Sequence, residues 1–375
     1  MTTTVPYHDW ENRYQDWTEQ VLDAVRAVAD SDEFILKSRV AALEAQVAER
    51  TGAKHAIAVA NATGGLTVLL AALGLGEGDE VVTPAFSFIS TASTVALRGA
   101  KPVFADVDHD TACLDLAAAR AAMTSRTKAL LPAYLFSTHP DMTGLAALAQ
   151  ERGVALIEDS AVALGATVDG RPAGRFGTAG VFSFFPAKPI GGAGDAGMVV
   201  TDDDELAREV RMLRNHGQDL GVRFLHHKVG YNCRMDEISA AFLLHRLPRL
   251  DEFLGARRRI AEEYQERLAP LAPELLTPPD GYDHRAVYTY VVRARRRDAL
   301  RAHLAAEGIE AVVYYPRPLH LQPAFAYLGH AKGDFPVAER LAEEALALPL
   351  HPDMRPGDVA RVAAAIERFY RGAGR

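Results

Sequence analysis

The chain has 375 residues, 49% of them hydrophobic and 24% charged, which excludes a disordered, collagen-like or coiled-coil protein and leaves room for two or three folded domains. With 41 Lys plus Arg against 49 Asp plus Glu, the formal charge is −8. That balance argues against a nucleic-acid or membrane-surface protein, although one local anion pocket remains compatible with it.

Two cysteines, Cys113 and Cys233, stand far apart. They make neither a disulfide framework nor a zinc cluster, and they point to a reducing compartment. Residues 1–19 carry Asp9, Glu11, Asp16 and Glu19 and no long apolar run, so neither a signal nor a transit peptide is read there. Ala56 to Gly76 has no charged residue and is about as long as a membrane span. It holds Asn61, Thr63, Gly64, Gly65 and Thr67, and it divides into a β-like and a helix-like half. We read it as a buried strand followed by a helix. A protein of the cytoplasm, not bound to a membrane, is therefore expected.

From Ala56 onward, short apolar β-like runs alternate with helical patterns. The β-like runs are Ala56–Ala60, Glu80–Pro84, Pro102–Val107, Lys128–Leu135, Val154–Asp159, Gly180–Phe185 and Gly197–Asp202. Helices are predicted at Leu66–Leu73, Phe88–Leu97, Asp115–Met123 and Thr143–Arg152. Continuous apolar runs mark strands buried on both faces, so the class is α/β, with a mostly parallel seven-stranded sheet between helices. Little helix separates the last three runs, so one of them is expected to be antiparallel. Beyond them, helices are predicted at Asp202–Asn215, Met235–Leu254 (kinked or broken at Pro248), Arg257–Leu268, Asp298–Glu307 and Gly357–Phe369. Strands are predicted at Val287–Ala294 and Glu310–Tyr315. The expected division is a large α/β domain over 16–244 and a smaller α+β domain over 245–375, with residues 1–15 packing against the latter.

Three features carry chemistry. Asn61-Ala62-Thr63-Gly64-Gly65 follows a strand and precedes a helix. Such a helix end favours phosphate, and small residues let the backbone approach it; a plain N-cap by Thr63 is the alternative. Asp159 ends an apolar strand, where open α/β sheets place ligands, although a helix-capping Asp would look the same. Neighbouring Glu158 would face the other side of that strand. Lys188 follows the apolar run Phe182-Ser-Phe-Phe185. If buried there, its amine would lose its proton more readily and attack carbonyl compounds; on the surface it would be an ordinary lysine. Gly192-Ala-Gly194-Asp-Ala-Gly197 fits G-x-G-x-x-G, but a β-like run follows where the dinucleotide fingerprint needs a helix. We read these glycines as sites of close backbone approach. His226, His227, His320 and His351 form no metal-ligand pattern, and no G-x-S-x-G is present, so no metal is expected.

A phosphate-binding helix end, a strand-end carboxylate and a strand-end lysine together suit pyridoxal 5′-phosphate (PLP). That cofactor needs an anion site, an amine for its aldehyde and a carboxylate for its ring nitrogen. Ser183 would add a hydroxyl at the phosphate, and Phe88 would stack on the ring.

The ordered segments Ala58-Val-Ala-Asn-Ala-Thr63, Gly78 to Phe88, Ile157-Glu-Asp-Ser160, Ser183 to Lys188, Gly194 to Met198, Arg214-Asn-His-Gly217, Val229 to Met235 and Tyr315 to His320 resemble the DegT/DnrJ/StrS family. These are PLP-dependent sugar aminotransferases of fold type I, and the resemblance covers about Phe34 to Phe369. It implies that Lys188 is the Schiff-base lysine and Asp159 the pyridine-nitrogen partner. Ala62, Thr63 and Ser183 match phosphate ligands, and Phe88 the stacking ring. Asn232 matches a residue that reaches the phosphate from a neighbouring subunit, so a homodimer with shared sites is implied. Tyr315 and His320 match positions near the sugar nucleotide.

The chain departs from the family in three places. Val162 replaces a usual Gln that touches the cofactor's phenolic oxygen, so Val162 can only pack there. Tyr134-Leu-Phe-Ser137 and Asn232-Cys-Arg-Met235 also differ, both beside the substrate region. The resemblance implies transfer of an amino group from glutamate or glutamine to a nucleotide-linked keto-deoxysugar, with pyridoxamine 5′-phosphate as the intermediate cofactor form, in natural-product or glycan biosynthesis. Pro186-x-Lys188 followed by Gly194-Asp-Ala-Gly197 leans toward a C3 over a C4 ketone. A keto-cyclitol or keto-sugar acid as acceptor is an alternative within the same chemistry. A non-catalytic regulator that binds the cofactor is an alternative outside it. Family dehydratases carry His in place of the lysine, and Lys188 argues against that reaction.

Overall fold

The computed structural model describes residues 4–372. Two helices, α1 (Trp10–Ser31) and α2 (Ser38–Thr51), precede the sheet. The sequence reading assigned neither, although Val40, Leu43 and Val47 repeat at helical spacing and are buried. The central strands are β1 (His55–Val59), β2 (Glu80–Pro84), β3 (Lys101–Ala105), β4 (Thr127–Leu130) and β5 (Ala155–Asp159). A small hairpin of β6 (Thr167–Val168) and β7 (Arg171–Pro172) follows, then β8 (Ala179–Ser183) and β9 (Gly197–Thr201). Seven of these form one sheet in the order β1-β9-β8-β5-β4-β2-β3. Neighbours from β3 to β8 pair in parallel, while β9 runs antiparallel to both β1 and β8.

The strands are buried on both faces, and alternate residues enter different cores. Ala56, Ala58, Leu156, Met198 and Val200 pack on one side, with Leu43 of α2. Ile57, Val59, Ile157 and Val199 pack on the other. There they meet Leu66 and Leu69 of α3 (Ala62–Ala72) and Val210 of α7 (Asp204–Leu213). Between them in sequence lie α4 (Ser90–Leu97), α5 (Leu116–Ala122) and α6 (Met142–Arg152). The strand predicted over Lys128–Leu135 stops at Leu130, just before Pro132, which has no N–H for the ladder.

Pro248 does break its helix. α8 (Glu237–Arg246) gives way to a 3₁₀ turn at Leu247–Arg249, and α9 (Leu250–Leu268) continues from there. The separate helix expected at Arg257–Leu268 is thus the second half of α9. A three-stranded antiparallel sheet follows, built from β10 (Leu275–Leu276), β11 (Tyr290–Ala294) and β12 (Ala345–Leu348). Its helices are α10 (Arg297–Ala306), α11 (Pro336–Glu344) and α12 (Asp358–Gly372). The strand expected at Glu310–Tyr315 is corrected to a single bridge from Val312 to Ala347, and β12 takes the place beside β11. Val5 bridges Ile309, and the Tyr7 hydroxyl lies 2.7 Å from Thr289 Oγ1. Among the described residues, no helix is long and apolar enough to cross a membrane, and no group of three His, Cys, Asp or Glu is placed to hold a metal. Cys113 and Cys233 are buried free thiols.

Candidate active site

Sheet topology brings distant residues to one edge. Parallel pairing puts Asp159, the last residue of β5, beside Val181 of β8. Antiparallel β9 starts where the others end, so Gly197 lies opposite both Ser183 and Val59. One turn beyond Val59, helix α3 begins at Ala62, four residues earlier than expected. Its cap is Asn61 and not Thr63: Asn61 Oδ1 accepts the Gly64 N–H at 2.7 Å. Ala62 is buried and Thr63 exposed at this end. A Cβ on Gly197 would lie 2.7 Å from both the Ala62 nitrogen and the Asn61 carbonyl carbon. One on Gly64 would meet Cys233 Sγ at 2.5 Å. The helix end is therefore a backbone cradle that only glycine at these positions leaves open.

Lys188 sits in a tight turn after β8. Its N–H donates to Phe185 O at 2.8 Å, and its own carbonyl accepts from Gly191 at 2.9 Å. Gly192 N–H closes the loop onto Phe184 O at 2.6 Å. A Cβ on Gly191 would collide with Pro186 O. The close backbone approach expected of the glycines holds at Gly192 and Gly197, while Gly194 faces open space. Lys188 Nζ lies 4.0 Å from the centre of the Tyr288 ring. Desolvation lowers its pKa to about 8, against an upward pull from Asp159, while Arg257 adds to the lowering.

Asp159 is buried. Its Oδ2 accepts from the Thr91 hydroxyl at 2.7 Å, and its Oδ1 from Ala161 N–H at 3.3 Å. Burial raises its pKa, and Thr91, Ala161 and Lys188 oppose the rise. Glu158 faces the other way, as expected. It is fully buried and accepts N–H bonds from Gly174, Phe176 and Gly177 and an O–H bond from Tyr134.

Of the remaining sequence candidates, Ser183 is partly buried, and its Oγ accepts from Phe185 N–H at 3.2 Å. Phe88 is exposed, with its ring 6.2 Å from that of Tyr315. Tyr315 packs among Phe86 and Phe136, and burial together with Tyr288, Tyr314 and Asp159 raises its pKa. Val162 is buried in the core. Asn232 is exposed on the loop that supports the cradle through the Ala60 N–H bond to Cys233 O. His320 requires a correction: it is 2% exposed, its Nε2 lies 3.0 Å from Glu339 Oε1, and its ring packs on Phe335. Covered on all sides, it offers no face to a substrate.

Thr91, Tyr288 and Arg257 escaped the sequence reading. The hydroxyl-rich start of α4 after a strand end was the available signal for Thr91. Tyr288 and Arg257 reach the lysine from far along the chain and leave no local signal.

The profile of the DegT/DnrJ/EryC1/StrS aminotransferase family matches residues 15–367. The chain belongs to this family. It is 42% identical over 369 residues to a pleiotropic regulatory protein of Geobacillus stearothermophilus, covering 98% of this chain and 99% of the relative. It is 43% identical over 373 residues to the UDP-N-acetyl-3-dehydro-alpha-D-glucosamine 3-aminotransferase of Acidithiobacillus ferrooxidans, covering 99% and 100%. Among solved structures, DesV of S. venezuelae superposes with a TM-score of 0.93 at 37% identity, covering 98% and 99% of the two chains. NtdA of Bacillus subtilis, solved with bound PMP, superposes with a TM-score of 0.89 at 28% identity, covering 95% and 82%.

Proposed function

We propose that the protein is a PLP-dependent aminotransferase that moves an amino group from glutamate or glutamine to a nucleotide-linked keto-deoxysugar, at C3. One observation carries the cofactor reading. A desolvated lysine, a buried carboxylate and a helix N-terminus kept open by Gly197 meet at one sheet edge. The donor set fits the group: Ala62 and Thr63 N–H with Ser183 for the phosphate, Asp159 for the ring nitrogen, Lys188 for the aldehyde, and Phe88 for the ring face. The C3 preference rests on relatives. Those of Acidithiobacillus and Pseudomonas are named for 3-dehydro and 3-oxo sugar nucleotides, and that of Micromonospora for a 3-amino product.

Bound in this cradle, PLP supplies an aldehyde and a ring that spreads the electron pair left when a C–H bond breaks. The chain's residues do the rest. With its pKa near 8, Lys188 has an appreciable free-amine fraction near neutral pH, so its Nζ can attack a carbonyl and later accept and return a proton. Asp159, anchored by Thr91, holds a proton on the ring nitrogen by charge attraction. A helix N-terminus binds phosphate through backbone N–H groups, so the net charge of −8 does not exclude anionic ligands. Asn232 reaches the phosphate of a second subunit in this reading. Mixing Lys188→Ala with Asn232→Ala protein should then give more activity than either alone, because a hybrid dimer keeps one site free of both changes.

The test is spectroscopic. Holoenzyme should show a visible band that glutamate bleaches and a 3-keto sugar nucleotide restores, with the amino sugar identified by NMR. The Geobacillus relative's name supports a second reading, a cofactor-binding regulator without turnover. A bound cofactor that never exchanges its amino group would favour it.

A further inference from the structure

Two buried arginines hold the turn that carries Lys188. Arg246, at the end of α8, donates from Nε to Ile190 O at 3.2 Å. Arg257, inside α9, is completely buried. Its Nη1 donates to Tyr288 O at 2.9 Å and to Leu350 O at 3.3 Å, and its Nη2 reaches Ala187 O at 3.4 Å. Ala187 is the residue before Lys188. Tyr288 is the residue whose ring lies under Lys188 Nζ at 4.0 Å. One guanidinium thus grips both the backbone that presents the amine and the backbone that presents its ring seat.

We propose that Arg257 is a positioning residue for Lys188, setting the reach of the amine and placing a fixed positive charge beside it. This rests on the reading of Lys188 as the cofactor-binding lysine. The planar guanidinium is suited to the task, because its fork can serve carbonyls on three separate segments, which a lysine ammonium on a flexible stem cannot do in fixed geometry. Lys188 faces Asp159 from β5, the Tyr288 ring from the approach to β11, and Arg257 from α9. Arg257 in turn faces Lys188 and buried His351, on which Asp353 and Asp9 also act. Asp159 favours a proton on the lysine nitrogen, and Arg257 disfavours it. The capture of an aldehyde by the Lys188 amine makes a C=N bond and releases the aldehyde oxygen as water with two protons from the amine. The nitrogen then remains under the same opposed fields.

The test is a pH titration of the visible band of holoenzyme carrying Arg257→Gln or Arg257→Lys. The Gln variant loses the charge, and its midpoint should rise by about one pH unit, a roughly tenfold change in the protonation ratio. The Lys variant keeps a charge, and its midpoint should stay near that of the unaltered enzyme. Its glutamate half-reaction should slow about tenfold, because an ammonium on a flexible stem does not hold carbonyls of three separate segments in fixed geometry. A folded Gln variant with an unshifted midpoint overturns the proposal. If the Gln variant fails to fold, the Lys variant decides: an unaltered half-reaction rate overturns the proposal, and a slowed rate at an unaltered midpoint supports it. If the unaltered protein shows no titrating visible band, the PLP reading fails instead.

Discussion

The hydroxyl of Thr91 donates to Asp159 Oδ2 at 2.7 Å, and the hydroxyls of Ser87 and Thr91 are 2.9 Å apart. Thr91 has one proton and commits it to Asp159, so Ser87 donates to Thr91. This chain favours the ionised carboxylate against burial. Thr91→Val removes that support, and the Asp159 pKa should rise further. A hydrogen bond to a charged group is worth about 1.5–3 kcal/mol, so PLP affinity should weaken by about tenfold or more. Thr91→Ser should retain it. Equilibrium dialysis against PLP measures both.

Glu158 and Asp159 are adjacent carboxylates with different work. Glu158→Ala leaves the buried N–H groups of Gly174 and Phe176, the partly buried N–H of Gly177 and the Tyr134 hydroxyl without their acceptor. At about 1–3 kcal/mol for each stranded group, stability should fall by several kcal/mol in urea unfolding. Asp159→Asn should keep most of its stability and lose the cofactor.

Gly197→Ala would set a Cβ 2.7 Å from backbone atoms of Asn61 and Ala62, which have no rotamer to give. Overpacking of this kind costs about 1–3 kcal/mol, and here it should also distort the backbone cradle proposed to hold the phosphate. Both stability and PLP affinity should drop. Gly194→Ala, with open space around it, should change neither.

Lys188 also sets a pH dependence in the cofactor-free chain. Burial lowers its folded pKa to about 8, whereas an unfolded lysine titrates near 10.4. Between those values the unfolded chain holds more protons than the folded one, so stability contributed by this group rises as pH climbs. Lys188→Met should lose that rise. The difference between the two proteins in urea unfolding, measured from about pH 7 to about pH 10, reports it directly.

The sheet was legible because its strands are short apolar runs broken by turns, and the candidate site followed from what stands at their ends. Asp159 and Lys188 emerged that way, and alternation along β5 separated Asp159 from Glu158 before any contact was known. Local patterns could not place side chains that arrive through tertiary packing. Thr91, Tyr288 and Arg257 take their proposed roles only where α4, α9 and the approach to β11 converge on the lysine turn. The same blindness produced the error at His320, whose neighbour in space, Glu339, lies on α11. Residues 310–315 read as a strand because of Val312 and Val313, whereas the short run Ala345–Leu348, directly after α11, blends with a helix end. Pairing with β11 decides between them, and that is a non-local fact.

Lys188 is the residue proposed to bind PLP covalently. Borohydride reduction of the PLP-treated protein, followed by peptide mapping, tests it most directly. A pyridoxyl group on Lys188 alone is the expected result. A label on any other lysine, or transamination that survives in Lys188→Ala protein, would contradict it.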